Sequence, residues 1–156
     1  MSMKLIHHYS NRAKAICVLL LVAFLGSQGM AADLRLDAQL IWGTNDESSP
    51  NTNHKPVDPV LAKKLKNIFK WKNYFEVKRQ QIDVPSRETR KVKMSEKCSL
   101  EIVELEGPKI EVRLFGEGKI MNKTIKTLTP GEILTLAGGD KNENAWFVVI
   151  QQVEGK

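Results

Sequence analysis

The sequence predicts a mainly β fold, an antiparallel β-sandwich or small barrel of about seven or eight strands with one α-helix packed on it. Three observations predict it. Short apolar stretches that alternate with polar residues recur along the chain, which is typical of strands with a buried face. Turn-forming residues divide these stretches about every 8–12 positions, the spacing of sandwiches and small barrels. One stretch, Asp58–Val77, carries the helical periodicity.

The N-terminus has the three-part plan of a secretory signal peptide. Basic residues precede the apolar run Ala15–Leu25, and small residues follow it. Cleavage after Ala31 fits best, because Gly29 and Ala31 would occupy the two positions that must be small. A retained anchor is the alternative, but a membrane span needs roughly 20 apolar residues. We therefore expect residues 1–31 to be removed and the protein to be exported, either to the periplasm or as a secreted protein.

The predicted mature chain, residues 32–156, is long enough for a single β-rich domain without a transmembrane helix. It retains His54 as its one histidine and Cys98 as its one cysteine. An exported chain with one cysteine has no internal disulfide. We expect Cys98 to be a small buried residue on a strand, with a reactive or intermolecular thiol as the alternative.

The first elements follow from local chemistry. Leu34–Trp42 alternates with period two and predicts a strand with one buried face. The polar stretch 43–57 lacks periodicity and predicts a long, flexible loop. Asp58 and Pro59 are a favourable N-cap and first helical residue, and they predict a helix at about 59–70. Its buried stripe would comprise Leu61, Leu65, Ile68 and Phe69.

Strand patterns follow the helix to the end of the chain. The expected strands lie around Phe75–Val84, Arg90–Met94, Cys98–Leu105, Ile110–Leu114, Ile120–Leu128, Ile133–Ala137 and Trp146–Ile150. A change of phase at Val103 and Leu105 indicates a bulge or a strand buried on both faces. Residues 138–142 predict a long polar turn, and the short connections after Lys97 favour a meander.

Basic residues are concentrated in one segment. Lys63–Lys93 contains eleven basic and three acidic side chains, whereas acids outnumber bases in the rest of the mature chain. Either this segment contacts an anionic partner, namely an acidic protein or an anionic envelope polymer, or its charges complement the acidic part of the same fold. Nucleic acid is disfavoured, because export removes the protein from it and the aromatic residues do not interleave with basic ones along a sheet.

The sequence offers little for catalysis. His54 and Cys98 are isolated, so neither a metal-ligand set nor a nucleophile with its base is indicated. Asp46 and Glu47 are adjacent carboxylates in the predicted loop, and a hydrolase that uses them is a minor alternative. We therefore expect a non-enzymatic protein without catalytic, cofactor-binding or metal-binding residues.

The leading hypothesis is a small exported domain that binds another envelope or extracellular component. The expected contact residues lie in and just after the helix, and they are Lys63, Lys66, Lys70, Trp71, Lys72 and Tyr74. The alternative is a carbohydrate-binding module whose exposed rings stack on sugar faces, and the candidate rings are those of Trp42, Trp71, Tyr74 and Trp146. Trp71 is expected to be partly exposed because lysines flank it, although aromatic residues in a domain of this size usually belong to the core.

Overall fold

The computed structural model describes residues 34–141 and 144–153. These residues contain nine strands and one helix. The predicted signal peptide lies outside the described residues. In chain order the elements are β1 (Leu34–Thr44), β2 (Lys55–Pro56), α1 (Pro59–Lys66), β3 (Asn73–Val84), β4 (Thr89–Lys93), β5 (Cys98–Glu106), β6 (Lys109–Gly116), β7 (Lys119–Thr127), β8 (Ile133–Lys141) and β9 (Asn144–Gln152).

The strands form two antiparallel sheets, which confirms the predicted mainly β sandwich with one helix. Sheet A has the order β2-β3-β1-β9-β8, and sheet B has the order β4-β5-β6-β7. The strand beyond the predicted eight is β2, which has only two residues. A meander exists for β5, β6 and β7, but the chain then crosses to sheet A, where β8 and β9 pair.

The main core lies between the sheets. Alternate residues of strands such as β5 and β6 point into it, because successive side chains of a strand face opposite sides. Its fully buried members include Leu36, Ala38, Leu100, Ile102, Ile110, Val112, Leu114 and Ile150. Cys98 also belongs to this core, which confirms the expectation of a buried cysteine on a strand.

A second core lies on the outer face of sheet A, under α1. Leu61 and Leu65 of the helix pack there with Ile41 of β1 and Phe147 of β9. The expectation of a single buried face on β1 was therefore wrong, since the helix covers the face that would otherwise meet water. Sequence periodicity reports one layer of packing and does not reveal a second layer on the opposite side.

The start of α1 is as predicted and its end is not. The Asp58 carboxylate accepts a hydrogen bond from the Leu61 amide at 3.0 Å, and Pro59 is the first helical residue. The helix ends at Lys66, because the amides of Ile68 and Phe69 both reach the Leu65 carbonyl and tighten the last turn. Ile68 is 54% exposed as a result and does not belong to the buried stripe.

The predicted long turn at 138–142 was also wrong. Strand β8 continues to Lys141, and Gly139 pairs with Trp146 of β9. Gly138 has no partner in the ladder, so it is the extra residue of a β-bulge. By contrast, the phase change in β5 does mark a bulge, where Leu105 is skipped in the pairing with β6.

The stretch predicted as a loop is shorter than expected. Gly43 and Thr44 complete β1, and Lys55–Pro56 pairs with β3. Hydrogen bonds hold the segment between them, including one of 2.8 Å from the Asn73 side-chain amide to the Asp46 carbonyl. The flexibility of this segment stays a prediction.

Candidate functional site

The expected contact residues separate into two groups. Lys63, Lys66, Lys70 and Lys72 are exposed on and after α1, as predicted. Trp71 and Tyr74 are 7% and 4% exposed, so the expectation of a partly exposed Trp71 was wrong. The structure therefore places the lysines at the surface and the two rings in the core.

Trp71 is buried because distant residues leave room for its ring. The ring stacks with Phe147 of β9 at a centroid distance of 6.3 Å and lies 5.6 Å from the ring of Phe69. A Cβ atom at Gly43 would lie only 3.1 Å from this indole, so a glycine there permits the close approach. The Lys70 ammonium stands 5.6 Å from the ring centroid, within cation–π range.

Tyr74 joins the end of the helix to β3. Its hydroxyl donates toward the carbonyls of Leu65 and Phe69, at 3.3 and 3.4 Å. Burial of the ring raises the pKa of Tyr74 above its ordinary value. Because Trp71 and Tyr74 are both buried, neither offers a ring face to a sugar, so two of the four rings named for the carbohydrate alternative are inaccessible to a ligand.

Part of the basic segment is neutralised within the fold. Arg79 binds the carboxylate of Asp37, which is 1% exposed, through an Nη2–Oδ2 contact of 2.8 Å. The amides of Gln39 and Gln151 donate to the same carboxylate. Hydrogen bonding to Asp37 raises the pKa of Arg79. These contacts support the interpretation in which the basic and acidic parts of the fold complement each other.

Basic and acidic side chains also pair on the outer face of sheet B, where they form a row of ion pairs across four strands. In order, the side chains of the row are Lys91, Glu101, Arg113, Glu111 and Lys123. Charge-assisted hydrogen bonding from Lys91 lowers the pKa of Glu101. Cations on β4, β6 and β7 are thus largely engaged with neighbours.

The helix cations are placed differently. Lys64 turns inward and donates to the Gly131 carbonyl at 2.7 Å, which fixes α1 to the turn between β7 and β8. Lys63 and Lys66 point to solvent, and in the described part of the chain neither takes part in an ion pair. Val60 lies one turn before Lys63 on the helix and is 68% exposed, and Ile68, just beyond the end of the helix, is 54% exposed. We call these four exposed residues, Val60, Lys63, Lys66 and Ile68, the α1 surface.

A cavity of about 510 Å³, partly open to solvent, lies at one end of the space between the sheets. Its volume is within the range of small-molecule sites, roughly 300–1,000 Å³. Both sheets and three loops contribute residues to its lining, which are Leu40, Trp42, His54, Val77, Ser95, Lys97, Cys98, Gly116, Glu117, Met121, Gly138, Gly139, Asn144 and Trp146.

Three β-bulges surround this cavity. The residue skipped by the ladder is Val77 in β3, Met121 in β7 and Gly138 in β8, and each of these residues lines the cavity. A bulge bends its strand and redirects one side chain. Three bends at the same end of the sandwich therefore separate the sheets there and keep the space open.

Trp42 and Trp146 stand opposite each other on neighbouring strands of sheet A. Both are half-buried and both line the cavity. The six-membered ring of Trp146 occupies the space into which a Cβ atom of residue 138 would project, and it also approaches Gly116 of sheet B. Trp146 therefore spans from one sheet to the other and forms a wall of the cavity.

Polar side chains of the lining have partners within the protein, in one case a residue outside the lining. The Lys97 ammonium lies 3.2 Å from the Glu117 carboxylate, and the Ser49 hydroxyl lies 2.6 Å from Nδ1 of His54. Burial raises the pKa of the Cys98 thiol to about 11, so the thiol is neutral at physiological pH. The cavity consequently presents apolar and aromatic walls with little net charge.

The sequence analysis did not identify this cavity. Trp42 and Trp146 were considered only as two of the four rings that could line a sugar-binding surface, and Gly138 was assigned to a turn. Their positions in the inward-facing phase of two predicted strands were the available signal. The bulges depend on cross-strand register, which the sequence of a single strand does not specify.

No protein-family model, curated protein or solved structure matches the chain. Within the described residues, no group of three or more His, Cys, Asp or Glu side chains is arranged to hold a metal ion. The same part of the chain contains no helix with the length and apolar character needed to cross a membrane.

Proposed function

We propose that this protein is an exported, non-enzymatic binding domain whose α1 surface docks on an acidic surface of a partner protein. The observation that carries the proposal is the mixture of side chains on that surface. Lys63 and Lys66 are exposed cations, and Val60 and Ile68 are apolar side chains exposed by 68% and 54%. The leader supports export and the basic segment supports an anionic partner.

The apolar side chains decide between the two kinds of anionic partner. A charged polymer would gain nothing from Val60 or Ile68, because its contacts are with the ammonium groups. A protein partner can bury apolar side chains at the centre of the contact and meet the lysines at its rim. Electrostatic attraction then raises the association rate and depends on salt, while apolar burial slows dissociation.

The lysines also have a structural role. Cations in the last turn of a helix interact favourably with the carbonyl end of its dipole. Fold stability must therefore be measured for every variant of the α1 surface, so that a binding defect is not confused with fraying of the helix.

The test compares capture of envelope components by the immobilised wild type and by two charge-reversal pairs. Lys63→Glu with Lys66→Glu alters the α1 surface, and Lys109→Glu with Lys119→Glu makes the same change of charge on sheet B. We expect a component retained by the wild type and by the sheet B variant, but lost by the α1 variant. Raising ionic strength shortens the Debye length from about 10 Å at 0.1 M to about 3 Å at 1 M, so retention should weaken.

Two further measurements identify the partner class. Val60→Ser should weaken capture as well, because it removes the apolar contact without changing the charge of the α1 surface. The captured component should be sensitive to protease. Equal capture by the two charge-reversal pairs would contradict the proposal. A protease-resistant component whose capture is unchanged by Val60→Ser would also contradict it and would indicate an anionic polymer instead.

A further inference from the structure

We infer that the cavity between the sheets binds a small, uncharged, planar aromatic molecule that carries a hydroxyl group. This site is separate from the α1 surface, so the inference does not depend on the proposed protein partner. It follows from the construction of the cavity, from the chemistry of its walls and from the pairing of its polar groups.

The space is produced by the backbone and is not a packing defect. Three bulges open the sheets at this end, and the glycines at 116 and 138 leave room for the wall side chains of Met121 and Trp146. Native interiors are otherwise close-packed, with few voids larger than a water molecule. A space of about 510 Å³ that three independent irregularities border is therefore a feature of the fold.

The walls favour an aromatic ligand. Trp42 and Trp146 present indole rings, and aromatic pairs contribute about 0.5–1.5 kcal/mol beyond the area they bury. Met121 adds a flexible thioether that adapts to ring edges. Leu40 and Val77 complete the apolar lining. A planar ring makes more of these contacts than a flexible chain or a sugar of the same size.

The charges favour an uncharged ligand. Lys97 and Glu117 are the basic and acidic side chains of the lining, and they pair with each other at 3.2 Å. Their side chains are 79% and 72% exposed, so the pair lies at the mouth of the cavity and leaves the interior apolar. A charged ligand would lose its hydration there without gaining a buried partner of opposite charge, which is unfavourable. The Cys98 thiol is neutral and adds no charge.

His54 is the residue from which we infer that the ligand carries a hydroxyl group. Its Nδ1 atom lies 2.6 Å from the Ser49 hydroxyl, and the tautomer decides whether the remaining ring nitrogen donates or accepts. A ligand hydroxyl can do both, so it fits either tautomer. Ser95 also lines the cavity, and its hydroxyl group can likewise donate or accept a hydrogen bond.

The test titrates the purified full chain with naphthol by isothermal calorimetry. Naphthalene sulfonate serves as the charged analogue, and N-acetylglucosamine serves as the sugar. We expect a saturable single-site isotherm for naphthol, and binding at least about tenfold weaker for the other two, which corresponds to about 1.4 kcal/mol.

Matched variants locate the binding. Met121→Glu puts a charge in the lining, whereas Ile125→Glu makes the same change at an exposed position of the same strand outside the cavity. We expect naphthol binding to weaken about tenfold or more in Met121→Glu and in Trp42→Ala, and to be unchanged in Ile125→Glu. Circular dichroism establishes that each variant is folded.

Alkylation of Cys98 provides a second test of binding in the cavity, and it needs no substitution. Cys98 lines the cavity, so bound naphthol should slow alkylation of its thiol, followed by mass spectrometry of the Cys98 peptide. Three results would overturn the inference: no saturable naphthol binding, equal binding by Met121→Glu and Ile125→Glu, or stronger binding of N-acetylglucosamine than of naphthol.

Discussion

The ring of Trp146 occupies the position that a side chain at residue 138 would need. Gly138 is the bulged residue of β8, and Trp146 forms a wall of the cavity, so the two residues are mutually dependent. The neighbouring Gly139 is not constrained in this way, because a Cβ atom there would meet the Trp146 Nε1 atom at an ordinary 3.4 Å.

Replacement of Gly138 by alanine should therefore destabilise the fold, while the same replacement at Gly139 should not. The added methyl group at 138 displaces the indole, and overpacking of this kind costs about 1–3 kcal/mol. Urea unfolding of Gly138→Ala and Gly139→Ala measures the difference. Equal free energies of unfolding for the two variants would contradict the packing of Trp146 on Gly138.

Loss of the Arg79 side chain should destabilise the fold more than loss of a surface charge does. Asp37 is 1% exposed, and among the described residues its carboxylate keeps the side-chain amides of Gln39 and Gln151 as donors when Arg79 is removed. A buried charge that has lost its partner costs about 3–5 kcal/mol, and the two amides reduce that figure. We expect Arg79→Met to lower the free energy of unfolding by about 2 kcal/mol.

A double-mutant cycle separates the pair from the packing of Arg79. Once Asp37→Asn has removed the buried charge, Arg79→Met should cost clearly less than it does alone. Strict additivity of the two substitutions would show that the contact between them contributes nothing to stability.

Removal of the Tyr74 hydroxyl should loosen the end of α1. Tyr74→Phe keeps the ring in the second core but deletes the donor to the carbonyls of Leu65 and Phe69. We expect a loss of about 1 kcal/mol in the free energy of unfolding. Hydrogen exchange should accelerate at the amides of Leu65 and Phe69, and unchanged exchange would mean that the hydroxyl does not hold the helix.

The Cys98 thiol should make stability fall at alkaline pH. Its pKa is raised from 9.0 to about 11 by burial, so the folded state favours the neutral form. The stabilisation is complete below pH 9 and is lost as pH rises through 11, because the unfolded chain releases the proton first. The loss is on the order of 2 kcal/mol.

Comparison with Cys98→Ala isolates this contribution, since the two proteins share every other ionisable side chain. We expect the wild type to lose more stability than Cys98→Ala between about pH 9 and about pH 11. Parallel pH profiles of the two proteins would contradict a thiol held neutral by the fold.

Local chemistry explains what the sequence predicted well. The Asp58 cap and Pro59 act within one turn of the helix, so the start of α1 follows from adjacent residues. The alternation of strands such as β6 likewise follows from the period of the pleat. Elements that depend on neighbours in sequence were therefore predictable without the structure.

Long-range contacts explain what the sequence missed. Burial of Trp71 requires Phe147 and Gly43, which lie far from it in the chain, and the flanking lysines suggested the opposite. Gly138 resembles a turn residue until β9 supplies a partner for Gly139. The cavity depends on the register of three strand pairs at once, and no single stretch encodes that register.

Val77, Met121 and Gly138 are each an insertion of one residue relative to the opposite strand. Deleting any one of them would restore an unbroken ladder on that strand without shifting the register of the residues beyond it. Insertions and deletions, and not only substitutions, are thus a route by which relatives of this protein could enlarge or close the cavity. Among such relatives, the length of β3, β7 and β8 would be a better guide to ligand binding than the identity of the lining residues.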